Sequence, residues 1–486
     1  MIDLTNRTDR PCAMVPIIPP PRECQGFRKA GSRLFTTPGV ADTLRPLVRF
    51  RAMVPNDRRS IDREIRAIAV PAVAALATEP LYELCDTAIL GRIGTEALAG
   101  AALAIRVLAF GHAAFVFLMF GTTAAVARHH GAGRDREATR QGVAAVWLAA
   151  AVGTVAAVAI AVVGRPAVGW LGGSGTVADD AWTYLWISVL GLPAYTVVMA
   201  GVGFRRGLQD TRLPLAVAAA TVALNLVLEL VLVFGAWFGV GASALGTVVA
   251  KWVGAGVYLA LLARRVRETG VSWRPDRQAV RSQLVVGRDL VLRTLLLLGV
   301  ITAANAAAAR VGIDELAGYA IAFQVWMFAV YAADGLEAAG QSLVAHRLGG
   351  GHGAAAVVDR LRTWGLCVGI FSGVVLACSA LWVPSLFTDD PAVRSEATAS
   401  LWWVAALQPV NFVAFVYDGI LVGAGQQRYL AAAMAGATTV FALVLGFGTW
   451  ATDGLGAVWA SLAALMVARL IAGIRATRSP RSQLQF

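Results

Sequence analysis

Twelve long, mostly apolar stretches dominate this chain, at about 65–91, 100–127, 141–163, 181–204, 213–234, 240–263, 291–309, 316–345, 363–385, 398–420, 429–450 and 455–474. A helix needs about 20 such residues to cross the hydrocarbon of a bilayer. Only helices and closed barrels satisfy their own backbone groups there. Hydrophobic residues make up 57% of the chain and charged residues 15%, against about 25% charged in ordinary soluble domains. These stretches predict an all-α integral membrane protein with 12 transmembrane helices. Glycine (50 residues) is abundant within them, and small residues let helices approach closely where lipid removes the hydrophobic drive to associate.

The net charge of +12 invites a nucleic-acid reading, but its placement argues otherwise. Lys and Arg number 18 in the even-numbered loops and four in the odd-numbered loops: Arg92, Arg165, Arg310 and Arg394. This is the positive-inside pattern, with both termini cytoplasmic. It predicts a multi-pass protein of the cell (cytoplasmic) membrane, partnered by the lipid bilayer and not by nucleic acid. The five cysteines show neither CxxC nor zinc spacing, so no disulfide framework and no metal site are expected. Residues 1–60 are rich in Arg and Pro and lack an apolar core. They read as a disordered cytoplasmic tail or a mis-assigned start, with Met53 just before the first span.

The chain repeats itself. Gly94, Leu98 and Gly100 recur as Gly312, Leu316 and Gly318, offset by 218. Pro193, Gly203, Gly207 and Arg212 recur as Pro409, Gly419, Gly423 and Arg428, and Gly239, Gly241 and Ala242 as Gly454, Gly456 and Ala457. The expected organisation is an N-lobe at 61–263 (helices 1–6), a basic cytoplasmic linker at 264–290, a C-lobe at 291–475 (helices 7–12) and a cytoplasmic tail at 476–486. Six helices per half is an even number, so both halves insert the same way. A pseudo-twofold axis along the membrane normal should relate them, with substrate between. Pro193 and Pro409 each remove a backbone hydrogen bond early in spans 4 and 10. They are candidates for a hinge or for a packing accommodation.

Seven acids lie within the apolar stretches: Glu79, Glu83, Asp86, Glu229, Asp334, Glu337 and Asp418. A carboxylate at mid-bilayer costs about 2.5–3.5 kcal/mol on insertion scales, so intramembrane acids point to function. Spans alternate in direction, and at about 1.5 Å per residue Asp86, Glu229 and Thr247 share one level, roughly 9–10 Å below the outer surface. Asn225 is one turn from Glu229 on the same face. Two carboxylates, an amide oxygen and a hydroxyl at one level suit a hard cation or a shared proton. Glu79 and Glu83 lie on the Asp86 face, and Lys251 is one turn from Thr247, at a depth that suits an ion pair with Glu83. In the second half, Asp334, Glu337, Asp418 and Arg293 lie toward the inner end, where a salt-bridged structural cluster is expected. His112 reads as a packed histidine, and Trp170, Trp237 and Trp382 as interfacial aromatics.

These residues resemble a family. Pro71, then Glu79-Pro80, Tyr82, Asp86-Thr87-Ala88, Gly91 and Gly94, is similar to the first helix of multidrug and toxic compound extrusion (MATE) transporters. Gly121, Thr123, Val126 and Ala127 fit the second helix, and Arg206-Gly207, Asp210-Thr211-Arg212 and Pro214-Leu215 the loop before the fifth. Gln324, Trp326, Asp334-Gly335-Leu336, Gly340-Gln341, Gln408-Pro409, Asn411, Phe415 and Asp418-Gly419 resemble the DinF-like branch, as do Arg293-Thr294 and Ala308-Ala309-Arg310-Val311-Gly312. The resemblance covers about residues 61–475. It implies a V-shaped pair of six-helix lobes and a cation-coupled antiporter. It also implies an N-lobe polar site at the positions of Asp86, Asn225, Glu229 and Thr247. Glu229 stands where Asp is usual in that branch, and Leu230 where Pro is common. Asn411 stands where other branches place an acid, so no second cation site is expected in the C-lobe.

The leading reading is an antiporter, driven by H+ or Na+ and needing no cofactor. It would export amphipathic, often cationic small molecules by alternating access, as a monomer. The alternative is a flippase for a lipid-linked precursor, which would line its cleft with Arg to hold pyrophosphate. Only Arg106, Lys251, Arg293 and Arg469 of the 42 basic residues fall within spans, which favours the antiporter. With no HExxH, Walker A or nucleophile-elbow motif, the chain does not read as an enzyme.

Overall fold

In the computed structural model, residues 58–235, 239–451 and 454–478 are described. The expectation for the N-terminal tail falls on residues outside that set, as do Trp237 and the side chains of Glu79, Glu83 and His112. The described residues form thirteen α-helices, one short 3-10 turn (Val383–Leu386) and no strand. They are α1 Arg58–Ile93, α2 Thr95–Gly131, α3 Asp135–Trp170, α4 Gly175–Val189, α5 Leu192–Gly207, α6 Arg212–Phe234, α7 Gly239–Thr269, α8 Arg277–Val311, α9 Ile313–Gly349, α10 Ala355–Ser379, α11 Pro391–Gly423, α12 Gln427–Ala451 and α13 Gly456–Arg478. Eight are each long and apolar enough to cross a membrane by themselves. The pair α4–α5, bent by 49°, makes a ninth. The helices α1, α2 and α8, of 36, 37 and 35 residues, complete twelve crossings. Large apolar side chains such as Val155, Val162, Phe371 and Phe447 point outward, which costs nothing against lipid.

Pro193 is the second residue of α5, at the 49° break, so its missing N–H falls where the helix has already stopped. Pro409 lies inside the unbroken α11. The repeat thus places a proline twice but breaks the span only once. Between the lobes, α7 runs on to Thr269 and α8 begins at Arg277, so helix occupies most of 264–290. The Asp276 carboxylate caps α8 by accepting from the backbone N–H of Gln278 at 2.8 Å.

The twofold relation reaches individual contacts. A Cβ on Gly100 would meet Asp180 and Ala181, and one on Gly318 would meet Glu396 and Ala397. Gly203 lies against the backbone of Met119 and Gly419 against that of Glu337. Each partner sits at the offset that separates the halves. Tight turns repeat as well: Gly133 (φ 69) follows α2 and Gly351 (φ 71) follows α9, a conformation that glycine adopts without steric cost. These equivalent helices also meet on the axis. A Cβ on Gly131 would lie 2.0 Å from the carbonyl oxygen of His346, and one on Gly349 1.9 Å from that of Arg128. The two helices cross there backbone to backbone.

Further contacts between the lobes lie toward the same end, which carries the loop arginines. Arg128 donates to the Ala424 carbonyl at 3.0 Å, Ser342 donates to the Arg206 carbonyl at 2.8 Å, and the Gln341 amide donates to the Phe120 carbonyl. Helix α1 is a crossbar. Ile61, Ile65, Ile68 and Ala69 pack into the C-lobe core. Asp62 takes two hydrogen bonds from Arg360 (2.8 and 2.6 Å) and one from Trp364, and Glu64 pairs with Arg347 at 2.8 Å. Farther along, Ile89 packs in the N-lobe with Val233 and Ala242. The lobes are therefore closed at the basic end.

That closure is testable. Gly131→Ala or Gly349→Ala should wedge α2 from α9 and cost about 1–3 kcal/mol. Spin labels on the two helices should report a longer separation at the basic end. Gly121→Ala, whose added carbon would meet only Val286 at 3.5 Å, is the control and should leave it unchanged.

Candidate functional site: a carboxyl pair inside the N-lobe

Asp86, Asn225 and Glu229 are 3%, 4% and 0% exposed. Helix α1 supplies Asp86, α6 supplies Asn225 and Glu229 one turn apart, and α7 supplies Thr247. The Asn225 amide donates to Thr247 Oγ1 at 3.1 Å, and the Tyr82 hydroxyl lies 2.8 Å from the same oxygen. Gly246 permits the close approach of α6 and α7. A Cβ there would sit 3.3 Å from Asn225 Oδ1 and 3.4 Å from the Glu229 backbone nitrogen. The residues grouped by depth along the chain thus converge within one lobe, enclosed by its own helices.

Sequence reasoning missed Ser243. It is fully buried, and its hydroxyl donates to Asp86 Oδ1 at 2.5 Å. The signal was present, since Ser243 is one turn before Thr247 on α7 and so shares its face. Tyr184 of α4, 4% exposed, stands behind it. The Glu229 carboxyl neighbours both Asp86 and Ser243, yet among the described residues neither of its oxygens has a hydrogen-bond partner, and neither does Asn225 Oδ1. Three orphaned acceptors beside a second carboxylate form an electron-rich cage. Such oxygens suit a hard cation or a proton.

The Lys251 ammonium lies over the Tyr195 ring, 5.0 Å from the centroid, and the ion pair expected with Glu83 falls on a side chain outside the described residues.

The C-lobe solves its charges differently. Asp418 Oδ2 accepts from Arg293 and from Arg469, each at 2.5 Å, and Arg293 lies 3.8 Å from Glu337. Arg469 also covers the Phe415 ring at 4.9 Å. Arg293, Asp418, Glu337 and Arg469 are all buried, two guanidiniums against two carboxylates, with Asp334 one turn before Glu337 on α9. Arg469 was absent from the cluster expected from sequence. Nothing along the chain relates a residue of span 12 to one of span 10. Asn411 is 1% exposed and neutral, with both amide atoms unpartnered among the described residues.

Comparison with known proteins places the chain. The MatE family model matches residues 71–231 and 290–447. Protein DETOXIFICATION 44, chloroplastic, of Arabidopsis thaliana is 31% identical over 439 residues, 85% of this chain and 81% of that protein. DNA damage-inducible protein F of Escherichia coli (strain K12) is 28% identical over 422 residues, 84% of this chain and 90% of that protein. The Vibrio cholerae MATE transporter VcmN in its bent form superposes with a TM-score of 0.77 at 19% identity, covering 86% of this chain and 95% of that one. An outward-facing multidrug resistance MATE family transporter gives 0.76, also at 19% identity, covering 85% and 94%.

Removing one partner of a buried ion pair strands the other, at about 3–5 kcal/mol. Asp418→Asn should therefore destabilise more than Arg293→Met, because it strands two guanidiniums. In a double-mutant cycle, Asp418→Asn with Arg293→Met should cost clearly less than the sum of the two changes. Additive melting shifts would dissolve the network.

Proposed function

Since this chain belongs to the MATE family, we propose that it is a cation-coupled antiporter that exports amphipathic, often cationic small molecules by alternating access of its two lobes. It is a multi-pass membrane transporter and not an enzyme, and it needs no cofactor beyond the coupling ion, H+ or Na+. The observation that carries the reading is the N-lobe cage: two buried carboxyl groups, one of them with both oxygens unpartnered, and no basic side chain bonded to either among the described residues. An antiporter needs such a group, one that is cation-bound when the substrate leaves and free when it binds. One charge crossing the membrane potential is worth about 2.3 kcal/mol per 100 mV, enough for useful exchange. The reading extends to a monomer in the cytoplasmic membrane with both termini on the cytoplasmic side, so that the closed basic end faces the cytoplasm.

Two observations weigh against the flippase alternative. Arg293 and Arg469 are both committed to Asp418, and Lys251 lies over Tyr195. Those basic groups are engaged inside their own lobes, where a pyrophosphate clamp would need them in the cleft.

The test is dye export from proteoliposomes under an imposed pH or sodium gradient. Asp86→Asn should abolish gradient-driven efflux while the protein still inserts and binds dye. Glu229→Gln should impair it. Glu229→Asp should retain transport with a shifted pH or sodium dependence, since the charge moves by one methylene. Wild-type export by Asp86→Asn would remove the N-lobe cage as the coupling site and leave the C-lobe acids.

A further inference from the structure

The two acids of the cage are not equivalent. Asp86 receives a 2.5 Å hydrogen bond from Ser243, and Glu229, wholly buried beside it, receives none among the described residues. Helix α7 presents two hydroxyls one turn apart. Thr247 serves Asn225 and Tyr82 at one end of the cage, and Ser243 serves Asp86 at the other. A donor on a carboxylate favours its charged form, because the proton of the hydroxyl is shared with an anion and not with a neutral acid. A short hydrogen bond also fixes the direction in which the remaining oxygen points.

We propose that Ser243 is a positioning residue of the coupling site: its hydroxyl holds one oxygen of Asp86 and so fixes the carboxyl that the cage presents to the transported cation. The proposal rests on the antiporter reading and deepens it. Glu229 of α6 faces both Asp86 and Ser243, and the phenols of Tyr82 on α1 and Tyr184 on α4 face Asp86 as well. Ser243 is fully buried on α7 between Gly241 and Gly246, where α7 packs against α4 and α6.

The experiment is the pH profile of dye export by Ser243→Ala, Ser243→Thr and Ser243→Cys in the full-length protein in proteoliposomes, with melting temperatures measured on the same preparations. A hydrogen bond to a charged group carries enough free energy for a shift of about one pH unit, or tenfold in apparent cation affinity. Ser243→Ala should move the midpoint of export upward by about that amount, Ser243→Thr should restore it, and Ser243→Cys, a weaker donor of similar size, should fall between. A lower melting temperature with an unmoved midpoint would overturn the proposal, since that is the signature of packing alone. Should Ser243→Ala fail to insert, the order of Thr and Cys decides: equal midpoints overturn the proposal. If Asp86→Asn keeps its gradient dependence, the coupling site itself falls. If Asp86→Asn loses it while Ser243→Ala keeps the wild-type midpoint, only the role of Ser243 falls.

Discussion

A charge in hydrocarbon has no water to lean on, and the interior of this protein is organised by that constraint. Every buried carboxylate must find a counter-charge, a proton or a cation. The two lobes answer it in opposite ways. In the C-lobe, Asp418 is bonded by two arginines drawn from α8 and α13, and Glu337 stands near one of them. These ion pairs tie three helices together across the lobe. In the N-lobe, Asp86 and Glu229 have hydroxyl, amide and carboxyl neighbours and no bonded basic group among the described residues. A half that supplies its own cations is fixed in charge. A half that does not must borrow one, which is what the proposed cation coupling requires.

That difference stands out against a closely shared backbone. The same glycine approaches and the same left-handed turns recur in both halves, and the equivalent helices α2 and α9 cross on the axis at Gly131 and Gly349. Helix α1 joins the two halves mechanically, with its first turns in the C-lobe core and Asp86 in the N-lobe cage. Any rocking of one lobe against the other is therefore felt along the helix that carries Asp86.

Much of this was legible along the chain. The apolar runs demanded helices, because backbone groups in lipid have no other partner. The repeat at offsets of 215 to 218 announced two lobes. Depth counting, which needs only the rise per residue, put Asp86, Glu229 and Thr247 on one level. What depth cannot supply is azimuth. Two residues at one level can lie on opposite faces of their helices, and only packing decides whether they meet. That is why Ser243, one turn from Thr247, and Arg469, in a span remote from Asp418, went unassigned. The fate of the prolines was also undecided. Pro193 and Pro409 are equivalent in sequence, yet only one span is broken, since a proline permits a break and the surrounding helices determine whether it is taken. Composition, periodicity and charge placement determined the number of spans, the two halves and the residue types at each depth, because these follow from transfer free energy and chain geometry. The tertiary structure alone decided which charges are neutralised and which are left open, because that depends on the rotation of each helix about its axis.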